Sequence, residues 1–422
     1  MPGAGGFYRE PVLALVAIQE YGSIMKLAPL ALAMTTLPIL SIASAPDHAA
    51  SATNDGGTKI FAAARADGNL CISPFSIASA LAMTYAGAAG TTREQMAEAL
   101  AFPDDAAALA ASFGALNAAL EESATRAGKD TSLHVANRLF GAKGFAFRDA
   151  FLALCKDRFG APLEVLDFEA DPAAAAARIN AWVEQRTEDR IRNLIPAGAL
   201  TKDTTLVLTN ALYLKAPWAE EFLKVPGLAF RVDGKNSAEV PAIARTDPFG
   251  YRKAGGFTAV GVPFRGGQFQ FLILLPDSAG PMPPVAPEIL SGAARMPRAD
   301  VALTLPKFRL EPPTLALAEI LQSLGMKAAF DIPRRSADFD GIAPRKPDDY
   351  LYISDVFHKT FFALDEKGIE AAAATAVVMM RATSMPVQRE PVEVRVDRPF
   401  YFAVQHTPTG ACLFLGRITD PR

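Results

Sequence analysis

Enzyme chemistry in these 422 residues would have to come from few side chains. Beyond the N-terminal region the histidines are His134, His358 and His406, and a hydrolase would have to pair Ser73 or Ser76 with His358. No acid completes that pairing, and no Gly-x-Ser-x-Gly elbow is present. There is no His-Glu-x-x-His, P-loop or dinucleotide-binding glycine fingerprint, so metal hydrolysis and nucleotide chemistry have no support. Cys71, Cys155 and Cys412 lie far apart without Cys-x-x-Cys spacing, which argues against a zinc knuckle, a redox dithiol or a disulfide framework. Cys71 and Cys412 fall in apolar, strand-like contexts and are expected to be free buried thiols. Enzyme activity, metal and cofactor are not expected.

A different kind of chemistry is written in Asp365 to Met380, DEKGIEAAAATAVVMM. Its propensities conflict: the alanines favour helix or no fixed structure, while Thr375 to Val378 lean toward strand. Extended, about 15 such residues cover roughly 50 Å. As a central strand it would place Ile369, Ala371, Ala373, Thr375 and Val377 on one face, with Glu370, Ala372, Ala374 and Ala376 on the other. Small side chains could slip between existing strands, whereas a charge on the inward face would be expensive to bury. Gly368 supplies the backbone freedom of a pivot.

Around this tract the chain alternates in kind. Thr58 to Leu100 reads as helix, short strand, helix, with Ser73 or Ser76 able to cap the second helix. Pro172 to Arg192 reads as helix, and Thr204 to Leu214, Gln268 to Leu275 and Val301 to Leu305 as strands. The class is α+β, and with no repeat, charge block or long linker, one large domain over 53–422 is expected. Charged residues make up 21% and the net charge is −3, so no global field draws the chain to nucleic acid or anionic membrane. No basic patch is legible. Ahead of the domain, Leu27 to Ala45 forms an uncharged apolar run after Met25 and Lys26, the pattern of a secretory signal. Residues 25–52 are therefore expected to be a signal, cut after Ala45 or Ala52, with translation starting at Met25 rather than in 1–24, and with no stable membrane insertion after cleavage.

The chain resembles the serpin family from about Asn69 to Pro421. The resemblance rests on NLCISPFSIASALAMTYAGA from Asn69, VANRLFG from Val135, LTNALYLKAPWAEEF from Leu208, LPKFRL from Leu305 and ADFDGI from Ala337. It closes with HKTFFALDEKGIEAAAATAVVM from His358 and DRPFYFAVQHTPTGACLFLGRITDP from Asp397. It implies three sheets, eight or nine helices and an exposed reactive loop after Gly368. It implies inhibition of a serine protease by a suicide-substrate route, in which the cleaved loop inserts into the central sheet with the protease attached as an acyl-enzyme. The alternative within the family is a carrier or chaperone.

By resemblance, Glu366, Gly368, Ile369, Glu370, Ala371, Ala372, Ala373, Ala374 and Thr375 match the hinge. Ser73, Ser76, Asn210 and His358 match the shutter beneath the sheet, and Trp218, with Glu366, the breach where insertion begins. Ile369 stands where threonine is usual, and its bulk is expected to slow the first step of insertion. Family spacing puts the scissile bond between Ala382 and Thr383, within a window of Met380 to Ser384, and a one-residue shift would put it after Arg381. Ala382 suits an elastase-like or subtilisin-like protease and Arg381 a trypsin-like one. A monomer, secreted or periplasmic, is expected.

Overall fold

Helix α1 spans Asp47–Ala63 and so begins ahead of Thr53, where the folded domain was expected to start. Ala49, Ala50 and Ala52 are buried, and the Ala49 N–H donates to Ser112 Oγ at 2.9 Å. Their small side chains allow close helix packing, which a signal reading of the same alanines overlooks. Cleavage after Ala52 would remove the first turns of this helix. The computed structural model describes residues 46–64, 68–232, 236–278, 280–347, 349–370 and 390–422. The segments 1–24 and 25–45, with the Ala45 cleavage site, lie outside them.

Seven further helices follow among the described residues: α2 Pro74–Tyr85, α3 Gly90–Leu100, α4 Ala106–Ala127, α5 Asp149–Phe159, α6 Pro172–Arg186, α7 Pro287–Ala293 and α8 Ala318–Ser323. Ser73 caps α2, accepting from the Ser76 N–H, with Pro74 at the first helical position. Helix α6 stops short of the expected Arg192, because Glu188 and Asp189 turn into the left-handed region at φ 51° and 59°.

The strands are β1 Leu70–Ile72, β2 Ser132–Ala142, β3 Glu164–Leu166, β4 Leu206–Pro217, β5 Leu223–Arg231, β6 Ser237–Ala254, β7 Phe257–Pro263, β8 Phe269–Pro276 and β9 Arg298–Pro306. They continue with β10 Phe308–Leu310, β11 Leu315–Ala316, β12 Asp355–Thr360, β13 Phe362–Asp365, β14 Gly368–Ile369, β15 Val392–Arg395, β16 Phe400–His406 and β17 Cys412–Ile418. They hydrogen-bond as two sheets. β6, 18 residues long, runs through both parts of the nine-stranded one and joins them.

The eight-stranded sheet runs β10-β13-β14-β4-β12-β11, with β2 on the other side of β4 and β3 beyond it. Its two faces are both covered. Ile369, Phe362 and Leu364 join the main core shared with the other sheet and helices α1–α5, while Phe361 and Ala363 belong with a smaller cluster under α6 around Ile179, Trp182 and Val183. That split follows the period of two along β13. Cys71 and Cys412 are free and buried, as expected, and so is Cys155; burial pushes the Cys71 and Cys155 thiols up to about 12. Among the described residues no helix is long and apolar enough to cross a membrane.

Candidate functional site

Strands β4 and β12 lie side by side in parallel, from Val207 opposite Asp355 to Leu212 opposite Thr360. Above that seam β14 stands between β4 and β13, the strand that follows β12 in the chain. Ile369 pairs with Ala216 on one flank and Leu364 on the other, and Gly368 with Pro217 and Asp365. The sequence offset between the flanking strands is 148 both at Ala216 and Leu364 and at Asn210 and His358, so β14 is a short wedge in one continuous seam. Gly368 is required there: its φ is +140°, and a Cβ would lie 2.2 Å from the Ala216 carbonyl oxygen. Ile369 is 1% exposed. The side chain expected to slow the first step of insertion thus stands within the sheet in this structure.

Glu370 ends the wedge. Its φ of +50° turns the chain out of the ladder, and its carboxylate lies on the opposite face from Ile369. That face was expected to be the outward one, yet the Glu370 side chain is only 7% exposed and sits 2.9 Å from Arg190 Nε, just beyond α6. The contact is an ion pair rather than a hydrogen bond, since Glu370 Oε2 receives no aimed donor. Burial, with Glu188 and Glu370 nearby, pushes the Tyr213 phenol up.

The turn that feeds the wedge is pinned. Trp218 is buried, stacks on Phe264 at 4.7 Å, donates from Nε1 to the Asp365 carbonyl at 2.9 Å and from its backbone N–H to the Lys367 carbonyl. Glu366 accepts from Lys307 at 2.8 Å and pairs with Lys224 at 2.9 Å. Burial pushes the Glu366 carboxyl up, but the hydrogen bonds from the two lysines outweigh it and hold it at about 2. Ala216 is a buried strand residue paired with Ile369.

Lower in the seam Ser73, Ser76, Asn210 and His358 come together, all buried. The Ser73 N–H donates to His358 Nε2 at 3.0 Å, so Nδ1 carries the proton and donates to Asn210 Oδ1 at 2.5 Å. Burial holds His358 neutral, down at about 4. Ser73 thus both caps α2 and reaches the sheet through its backbone. Ser76 does not cap: its hydroxyl donates to Asn137 Oδ1 at 2.6 Å, and Asn137 Nδ2 returns a bond to the Ser76 carbonyl. Asn137 was missed in the sequence, although its place in VANRLFG and its register opposite Asn210 put it in the same row. Asn210 Nδ2 is buried without a partner. Ala371, Ala372, Ala373, Ala374, Thr375, Arg381, Ala382 and Thr383 lie outside the described residues. No cluster of three or more potential metal ligands occurs among the described residues.

Residues 53–421 match the family model described as Serpin (serine protease inhibitor). The chain belongs to the serpin family. A serpin-like protein of Thermococcus kodakarensis is 35% identical over 360 residues, covering 84% of this chain and 81% of that one. The leukocyte elastase inhibitor of Bos taurus is 35% identical over 369 residues, covering 84% and 93%. Among solved structures, human thyroxine-binding globulin superposes with a TM-score of 0.75 at 25% identity, covering 90% of this serpin and all of that chain. With the family in hand, the bare expectation of no enzyme activity gives way to a positive class, one with protease inhibitors among its members.

Proposed function

We propose that this serpin inhibits a serine protease as a suicide substrate: the protease cleaves the tract after Glu370, and the freed tract inserts between β4 and β12 as a full strand. The observation that carries this reading is the wedge. Continuing both registers of β14 without a bulge, six residues from Ile369, carries Thr375 to the level of Asn210 on one flank and His358 on the other. The side chain of Thr375 falls on the Ile369 face, toward Ser73 and the unpartnered Asn210 amide. Insertion replaces one parallel ladder by two antiparallel ones, a gain of about ten backbone hydrogen bonds worth on the order of 10 kcal/mol net. That is comparable to the whole stability of a typical domain, enough to drive the change.

Thyroxine-binding globulin shows that the fold also serves a protein named as a binder, but the run Ala371 to Ala374 offers nothing to obstruct insertion, which favours inhibition. The scissile bond is assigned to Ala382 and Thr383, or the bond after Arg381, with elastase-like, subtilisin-like or trypsin-like targets accordingly. We assign the protein to the secreted or periplasmic space as a monomer, on the apolar run after Lys26. Incubation with elastase, subtilisin and trypsin followed by denaturing gels tests the reading. A heat- and detergent-stable band near the summed mass is expected with at least one protease; complete loop cleavage by all three without such a band contradicts it.

A further inference from the structure

Below Val207 and Asp355, where the parallel ladder of β4 and β12 begins, the seam is closed mainly by side chains. The Thr205 hydroxyl donates to the Tyr352 carbonyl at 2.8 Å and accepts from the Tyr352 N–H at 3.4 Å. Ser354 Oγ accepts from the Thr205 N–H at 3.1 Å, and the Ser354 N–H donates to the Leu206 carbonyl at 3.1 Å. The Tyr352 hydroxyl reaches across to the Asp203 carbonyl at 2.9 Å. Local bonds would suffice to cap a strand end, as the one from the Thr201 N–H to Thr204 Oγ1 does, yet these five all cross the seam. Both sides are also fixed from outside: the Thr205 carbonyl accepts from the Ala142 N–H at the end of β2, and the Ile353 N–H donates to the Ala329 carbonyl. Neither strand end can swing aside without breaking one set of bonds.

We infer that Thr205, Tyr352 and Ser354 form a clasp at the foot of the seam that sets the rate of the last stage of strand entry, a positioning role that deepens the insertion proposed above and rests on it. The two registers of β14 that bring residue 375 to Asn210 and His358 also bring residue 378 to Val207 and Asp355, 379 to Leu206 and Ser354, and 381 to Thr204 and Tyr352. Entry as far as 378 therefore replaces only the parallel ladder. The next three residues meet the clasp and must break all five of its bonds. Thr205 Oγ1 and Ser354 Oγ hold backbone groups of the opposite strand, and once that strand has moved away the incoming tract takes those groups over. The clasp thus stabilises the intact form and contributes nothing to the inserted one. A merely structural role would support both forms equally.

The test compares the full-length wild type with Thr205→Val and Tyr352→Phe, each intact and after elastase has nicked the loop C-terminal to residue 381, the cut being located by mass spectrometry. Unfolding temperature is measured on both forms, together with the rate at which the nicked form acquires its heat resistance. Both variants should lower the transition of the intact form by a few degrees and leave that of the nicked form where the wild type has it. Heat resistance should appear roughly fivefold faster for each clasp bond removed. Thr205→Ser, which keeps the hydroxyl, should retain the wild-type rate, and Ser354→Ala provides a further variant should Thr205→Val fail to fold. Equal losses in the intact and nicked forms, or an unchanged rate in the variants, overturn the clasp while the wild type's own rise on nicking leaves insertion standing. A wild type that gains no heat resistance on nicking overturns insertion, and the clasp with it.

Discussion

His358 Nδ1 and Asn210 Oδ1 are 2.5 Å apart across a parallel strand pair, and they mark the level to which the wedge registers carry Thr375. Insertion must part these two residues and offer each a new partner. The Thr375 hydroxyl can do so, since it both donates and accepts. Thr375→Val should leave the intact protein's unfolding temperature unchanged and lower the stability of the loop-cleaved form by about 1 kcal/mol. Equal effects on both forms would count against this register.

Acid should loosen the protein in two stages. His358 is held down at about 4 from an ordinary 6.5, so the unfolded chain binds the extra proton first. Its contribution is whole above pH 6.5 and is lost as pH falls through the interval to 4, on the order of 2–3 kcal/mol by the bottom of it. His406, also held at about 4 by burial, acts in the same sense. Glu366 follows, contributing above about 4.5 and losing that contribution as pH falls toward 2. Denaturant unfolding at pH 7 and pH 4.5 should show the first loss, and His358→Gln should show less of it. A slope identical in wild type and variant would contradict the assignment of His358.

The seam positions Ser73, Asn210 and His358 were legible because the motifs that hold them are contiguous in sequence. Their partners were not. Asn137 and Lys307 sit within VANRLFG and LPKFRL, yet those motifs do not say which residues they meet, and Arg190 and Lys224 reach the site from distant segments with the local look of surface polar residues. Strand alternation correctly separated Ile369 from Glu370, but it could not reveal that α6 and the segment after it cover the second face.

Arg190 holds the end of the wedge. Arg190→Ala leaves the nearly buried Glu370 carboxylate without its cation and should destabilise the intact protein by about 1–3 kcal/mol. Hydrogen exchange at the Ile369 and Glu370 amides should quicken. Glu370→Gln, which keeps the shape and removes the charge, should cost less. Unchanged exchange and stability in Arg190→Ala would show that the pair does not fasten the hinge.

The two faces of the inserted strand can be told apart by charge. In the wedge register Ala373 comes opposite Leu212 and faces the main core, whereas Ala372 comes opposite Tyr213, near Glu188 and Glu370. Ala373→Arg should leave loop cleavage intact and abolish the stable protease complex, as a buried unpaired charge costs several kcal/mol. Ala372→Arg should keep a substantial share of complex formation, because the carboxylates on that face can pair it. Equal loss in both variants on denaturing gels would refute the alternation.

The proposed insertion would release free energy that the intact seam withholds. Cutting the loop within Met380 to Ser384 should let the tract enter between β4 and β12. With on the order of 10 kcal/mol gained, at a few degrees per kcal/mol, the unfolding temperature should rise by tens of degrees over the intact protein. Calorimetry on the intact and nicked forms decides it: a rise of that size is the predicted result, and a transition that stays within a few degrees of the intact one would contradict strand insertion.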